Sequence, residues 1–351
     1  MEENITEALS KDDTLYAEEA EAVLAAFEYE ALPDGGYIIK RLKDADADEV
    51  TVPSGVTAIG NGAFGGCKKM RRISLPDGIT SIGEWAFNGC SALTEISIPD
   101  SVTVLGDNAF YGCPSLERVN LSNNLTRIGG YTFYNCTALL GANIPRGTSE
   151  IGKYAFYGCT SLKDLTLPDT VGAVGEYAFQ NCPIERATLK SELAGHLPQK
   201  SLNEATVTGE AVSEGAFLGF KELQRVILSD TVTAIEKEAF KGCERLENVS
   251  FGDRLTSIGI YAFYGCIRLK SLRLPDELRE IGDYAFRECH ALETLFIPQS
   301  THKFGLRIFE GCTSLKTIRF SGTKGAWKNI TDLINNKECL KKVKILFQCQ
   351  E

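Results

Sequence analysis

The 351-residue chain is poor in the residues that most often do chemistry or grip polyanions. It has three histidines, two methionines and two tryptophans. His196, His290 and His302 stand apart from one another on polar stretches, whereas a metal centre or a nucleophile–base pair needs its members brought together in a recognisable motif. Basic residues are outnumbered, 37 Lys plus Arg against 47 Asp plus Glu, giving a formal charge of −10. That balance argues against nucleic acid, which needs a basic face to displace counterions. No apolar run reaches the roughly 18 residues of a membrane-crossing helix, so no transmembrane segment is expected. The start lacks the basic and apolar regions of an export signal, so the chain as written reads as cytoplasmic, or as a mature protein whose signal has been removed. There are twelve cysteines but no C-x-x-C pair, the close spacing that zinc sites use. Gly-x-Gly pairs occur without the following helix or lysine of a phosphate loop. No catalytic residue, metal site or cofactor is assigned, and the chain reads as a non-enzyme.

What is abundant is periodic. Cys67, Cys90, Cys113, Cys136, Cys159 and Cys182 are 23 residues apart, and Cys243, Cys266, Cys289 and Cys312 resume the step. Three residues before each stands a phenylalanine, from Phe64 to Phe179 and again from Phe240 to Phe309. Phe217 keeps the register, with Phe220 in the cysteine position. A fixed period of this length is the mark of a solenoid.

The unit around Cys90 shows the grammar. Leu93, Ile96 and Ile98 alternate with Glu95 and Ser97, a strand with one buried face. Pro99-Asp100 ends it, since proline cannot donate to a continuing ladder. Val102, Leu105 and Gly106 form a second extended piece, and Asn108-Ala109-Phe110 predicts one or two helical turns. The residue before the cysteine column is Gly or Asn in ten of eleven units, Glu288 being the exception, which predicts a left-handed cap. One such coil buries too little to offset its own chain entropy and must stack on its neighbours.

The pattern L-x-x-I-x-I-P-x-x-V-T-x-I-G-x-x-A-F-x-G-C resembles the leucine-rich repeats of the BspA, or Treponema pallidum, type over about residues 50–320. No Asn or Cys follows the strand, so the asparagine ladder of the commoner repeat is not expected. Phe320-Ser321-Gly322-Thr323-Lys324-Gly325-Ala326-Trp327 is similar to the segment that often ends such arrays. The resemblance implies an α/β solenoid: a right-handed horseshoe of about twelve mostly 23-residue coils, with a parallel β-sheet on the concave face and short helical turns and loops elsewhere. It also implies display on a cell surface, a role in adhesion or protein binding, and no catalysis.

The expected organisation is a loose acidic terminus (1–13), an N-terminal cap of helix plus strand (14–52), the solenoid (53–320) and a C-terminal cap (321–351). Leu15, Val23, Leu24 and Phe27 predict one face of a helix over 14–30. Leu333, Ile334, Leu340, Val343, Ile345, Leu346 and Phe347 suit the second cap. The period breaks once, between Phe179 and Phe217. Leu202, Ala205 and Val207 keep a strand pattern there, which predicts an irregular short coil at 190–211 with Glu192 to Gln199 as a bulging loop. That loop is either a tolerated irregularity or a recognition element.

Three surface features invite a reading. The cysteine column would place thiols at bridging range but with side chains parallel, so it reads as small buried hydrophobes; Cys339 and Cys349 fall outside it, free or paired. On the strand face, Arg225, Ile227, Arg273, Phe296 and Arg319 mix arginine with large apolar groups, the composition of interface hot spots. Two further columns hold Trp85, Tyr131, Tyr154, Tyr177, Tyr261 and Tyr284, and Tyr111, Tyr134, Tyr157 and Tyr264. Stacked rings would stabilise neighbouring coils without a ligand. The function expected is a non-catalytic protein-binding or adhesion module using the concave sheet. Its partner is a protein, with a host or extracellular-matrix protein in view. The alternatives are an intracellular structural scaffold, favoured by the absent signal and many unpaired thiols, and a glycan-binding lectin using the tyrosine columns. Oligomeric state is left open.

Overall fold

The computed structural model describes residues 24–33, 35–333 and 340–348. The acidic terminus, Leu15, Val23, Ile334, Cys339 and Cys349 lie outside them. The chain is a parallel-sheet β-solenoid with very little helix, built from stacked coils of the period described above. Its contacts divide it into two compact units, residues 1–162 with 170–182, and residues 163–169 with 183–351.

In the first unit, strand Phe27–Ala31 pairs antiparallel with Tyr37–Leu42, and parallel strands Val56–Ile59, Ser81–Ile82 and Val104–Leu105 follow. The helix predicted over 14–30 is therefore corrected at Phe27–Ala31, where the alternating run Phe-Glu-Tyr-Glu-Ala is a strand, mostly exposed; residues 14–23 lie outside the described residues. A second set pairs Glu49–Thr51 with Arg72–Ser74, and Glu95–Ser97 with Arg118–Asn120, each carrying its central apolar residue inward and its neighbours outward; the short strand Gly141–Ala142 pairs with Arg118–Asn120. Here Ile96 opposes Val119 while Ser97 opposes Asn120.

The second unit repeats this plan. Asp164–Thr166, Arg186–Lys190, Glu204–Thr208, Arg225–Leu228 and Asn248–Ser250 form one parallel sheet, and Ser271–Arg273, Thr294–Ile297, Thr317–Phe320 and Lys344–Phe347 another. Helix Lys324–Leu333 sits near the end, where Trp327 lies 5.2 Å from Phe320, centroid to centroid. The interruption is not a bulging loop. Ser191–His196 is a 3-10 turn with Leu193, Ala194 and Leu197 buried, and Glu204–Thr208 follows as a regular strand. The predicted loop has apolar residues at the spacing needed to close a coil, and burial draws them in.

The phenylalanine column is the interior of both units. Phe64, Phe87, Phe110 and Phe133 are wholly buried and lie parallel at centroid separations of 5.2, 5.0 and 5.5 Å. Phe217, Phe240, Phe263 and Phe286 stack in the same way at 5.3–5.4 Å. The predicted helical turns are instead single hydrogen-bonded turns, such as Tyr111 N–H to Asn108 O at 3.0 Å. Two residues per coil fall in the left-handed region. One is the anticipated cap, including Glu288 at φ +60°. The other, two before the phenylalanine, is aromatic at Trp85, Tyr131, Tyr154, Tyr177, Tyr261 and Tyr284. That conformation costs an L side chain roughly 1–2 kcal/mol. In return the turn's N–H groups reach the next coil: Phe64 to Ala86 O, Tyr131 to Lys153 O and Gly112 to Tyr134 O, all at 2.8–2.9 Å.

Candidate functional site

Among the described residues the cysteines are free, and all but the half-buried Cys312 are buried. They are more than hydrophobes. Each column thiol from Cys90 to Cys312 donates to the carbonyl of the phenylalanine 26 residues earlier, as in Cys90 to Phe64 at 3.1 Å and Cys266 to Phe240 at 3.3 Å. A thiol is small enough for the column and carries one donor, so it ties one coil to the one before. Burial pushes these thiols upward, Cys243 to about 12 and Cys113, Cys159, Cys266 and Cys289 well above the ordinary 9.0; at Cys113 the hydrogen bond with Cys136 acts first. Such thiols are poor nucleophiles. Among the described residues no three His, Cys, Asp or Glu side chains are grouped to hold a metal.

The aromatic columns converge into one strip in the first unit. Trp85 meets Tyr111 at 5.4 Å; Tyr111, Tyr134 and Tyr157 stack at 4.7 and 4.9 Å; Tyr131 and Tyr154 stack at 4.9 Å; Tyr154 meets Tyr177 at 5.2 Å. Cross-contacts such as Tyr131–Tyr134 at 5.7 Å join the rows. Ring faces are largely spent on other rings, and only Trp85 and Tyr177 at the ends are substantially exposed. In the second unit the strip is short. Tyr261 stacks on Tyr284 at 4.9 Å and meets Tyr264 edge-on, while Lys241 and Arg287 lie over these rings at 5.4–5.9 Å.

The strand face differs along the chain. In the first unit, outward Glu49, Arg72 and Glu95 alternate in charge, Arg72 lying 3.9 Å from each acid, and Asn120 donates to Ser97 at 3.0 Å. Early in the second unit the same balance holds: Arg186 pairs with Asp164, and Arg225 with Glu204 at 3.0 Å. Arg225 is thus engaged in a charge ladder, and Ile227, half-buried, opposes Thr206 and Ser250. Farther on the pattern stops. Arg273 opposes Phe296, which opposes Arg319, which opposes Leu346. The Arg273 guanidinium lies over the Phe296 ring at 4.3 Å. Of the five residues singled out from the sequence, Arg273, Phe296 and Arg319 form one contiguous row, while Arg225 and Ile227 both lie on the earlier strand Arg225–Leu228. Leu346, which completes the row, was expected to serve only as a cap; its strand breaks the 23-residue period, so no column pointed to it.

A family description, BspA type leucine rich repeat region, matches residues 42–150, 126–204 and 210–332. Among solved structures the chain is similar to a leucine-rich repeat protein from Bacteroides ovatus, at 24% identity over 92% of this chain and 98% of that one, with a TM-score of 0.48. A leucine rich cell surface protein from Faecalibacterium prausnitzii shows 23% identity, coverages of 87% and 96%, and a TM-score of 0.40. The T. pallidum leucine rich repeat protein shows 25% identity, coverages of 70% and 88%, and a TM-score of 0.31. None of the curated proteins compared with the chain matches it. The matched segments span the phenylalanine, cysteine and glycine columns that build both units, and the chain belongs to the BspA type leucine-rich repeat family.

Proposed function

We propose that the chain is a non-catalytic protein-binding module, displayed at a cell surface, that engages its partner through the strand face of the second unit. The observation that carries this reading is the row Arg273–Phe296–Arg319–Leu346, where an arginine lies over a half-exposed aromatic ring on an otherwise short-chain, hydroxyl-bearing face. Leucine-rich repeat proteins of this kind generally bind proteins and are often surface-associated. Arginine and phenylalanine are enriched at interfaces because they desolvate large areas around a directional charge. The tyrosine strip supports a glycan reading less well, since a sugar would need the ring faces that the tyrosines turn to one another.

A photo-crosslinking amino acid at Phe296, with a second at Ser97 on the first unit's face as control, tests the proposal on intact cells and in serum. Discrete adducts from position 296 and none from 97 are expected. Equal labelling from both positions, or labelling from 97 alone, would overturn the assignment.

A further inference from the structure

The net charge of −10 makes a basic partner the natural expectation, and the local distribution says the opposite. In the first unit Arg72 lies 3.9 Å from Glu49 and from Glu95, the acids of the coils before and after it, and Arg118 stands opposite Glu95. Across the last five strands of this face, Asn248–Ser250, Ser271–Arg273, Thr294–Ile297, Thr317–Phe320 and Lys344–Phe347, the charged residues at outward positions are Arg273, Arg319 and Lys344, with no acid. The acids bordering these strands are engaged: Glu293 with Lys316 at 3.0 Å and Glu247 with Arg268 at 3.6 Å. Arg273 is committed to Phe296. Arg319 and Lys344, both exposed, with Lys344 opposite Thr317 and Arg319 opposite Leu346 two register positions further on, are the cations that face outward beside the apolar pair Phe296 and Leu346.

Building on the protein-binding reading, we infer that this face takes an acidic segment of its partner, in which a large apolar side chain is set beside one or two carboxylates. The apolar group covers Phe296 and Leu346, and a carboxylate accepts from the planar fork of Arg319, a geometry lysine cannot reproduce. Beyond about 8–10 Å at physiological salt the chain's overall negative charge is screened, so contact with the three local cations decides the sign of the interaction.

The test uses the full chain and a random peptide display library as probe, panned at low and at physiological ionic strength. Enriched peptides should carry Asp or Glu next to a large apolar residue and should weaken as salt rises. Phe296→Ala and Arg319→Glu should each reduce their affinity about tenfold or more, Arg319→Lys should recover only part, and Arg118→Glu in the first unit should change nothing. All three positions are half-exposed or exposed, and unchanged thermal melts establish that the variants fold. Phe296-dependent binders that are basic or neutral and indifferent to Arg319→Glu would overturn the acidic partner while leaving the protein-binding reading intact. Binders unaffected by Phe296→Ala, or the recovery of none, would overturn both.

Discussion

The two compact units have interiors of the same construction and differ in what they show. Their phenylalanine ladders have nearly the same spacing, 5.0–5.5 Å from Phe64 to Phe133 and 5.3–5.4 Å from Phe217 to Phe286, and their thiols make the same bond. Outside, the first unit neutralises its strand face with alternating charge and runs a seven-ring aromatic strip. The second leaves Arg273, Phe296, Arg319 and Leu346 in a row and covers a three-ring strip with Lys241 and Arg287. Interior columns are fixed by packing, because each side chain must fit both neighbours at native density. Outward positions are released from that constraint, and difference there is where recognition can be written.

The largest expected effect tests the shared interior. In the fold Cys90, Cys113, Cys159, Cys266 and Cys289 hold their protons well above 9.0, and Cys243 to about 12. Below pH 9 the folded and unfolded chains are both protonated at these sites and stability is complete. As pH rises past 9 the unfolded chain sheds protons that the fold retains, so stability falls by roughly 1.4 kcal/mol per pH unit for each titrating thiol. Urea melts between pH 7 and 11 should show this steep alkaline loss, and hydrogen exchange should show it in both units; protection lost from one unit alone would break the equivalence. Next, Phe133→Ala and Phe263→Ala should each cost about 3–5 kcal/mol, measured by thermal denaturation. A cost confined to one of them would mean that the ladders are not alike.

A smaller effect probes the exterior. Rebuilding the row in the first unit with Ser74→Arg, Ser97→Phe and Asn120→Arg should create a second site for whatever peptide the natural row selects, doubling the stoichiometry by calorimetry. A single site would show that backbone register and those three side chains do not suffice. Smallest, Tyr154→Leu should lower stability by about 1 kcal/mol, because Tyr154 contacts four other rings. Tyr284→Leu, with one ring neighbour at 4.9 Å, should cost less.

Much of this was readable in the sequence. Phenylalanine and cysteine at a 23-residue step define the stack, and Gly or Asn before the cysteine signals a left-handed residue, as Gly89 at φ +68° and Asn135 at φ +56° confirm. The second left-handed column was not visible. Tyr131 and Tyr154 do not favour that region, and only the hydrogen bonds to the next coil and the ring stacking around them hold them there. The thiol's role as a donor was hidden too, because Phe220 in the same column suggested an apolar requirement alone. Glu192 to Gln199 looked like a loop because its period is broken, yet Leu193 and Leu197 close it. At the strand face, Arg273, Phe296 and Arg319 were legible as a column; the charge ladder that occupies Arg225 required knowing that Glu204 stands opposite.

The turn bonds have a direction. Gly62, Phe64 and Gly66 donate to Glu84, Ala86 and Asn88, always from the earlier coil to the later, while the thiol of the later coil answers the carbonyl of the earlier. A chain emerging from its N-terminus thus lays each new coil onto donors already waiting, and supplies in return a thiol that fastens the one beneath. Synthesis and stacking run the same way, and the newest coil is always the one with donors outstanding.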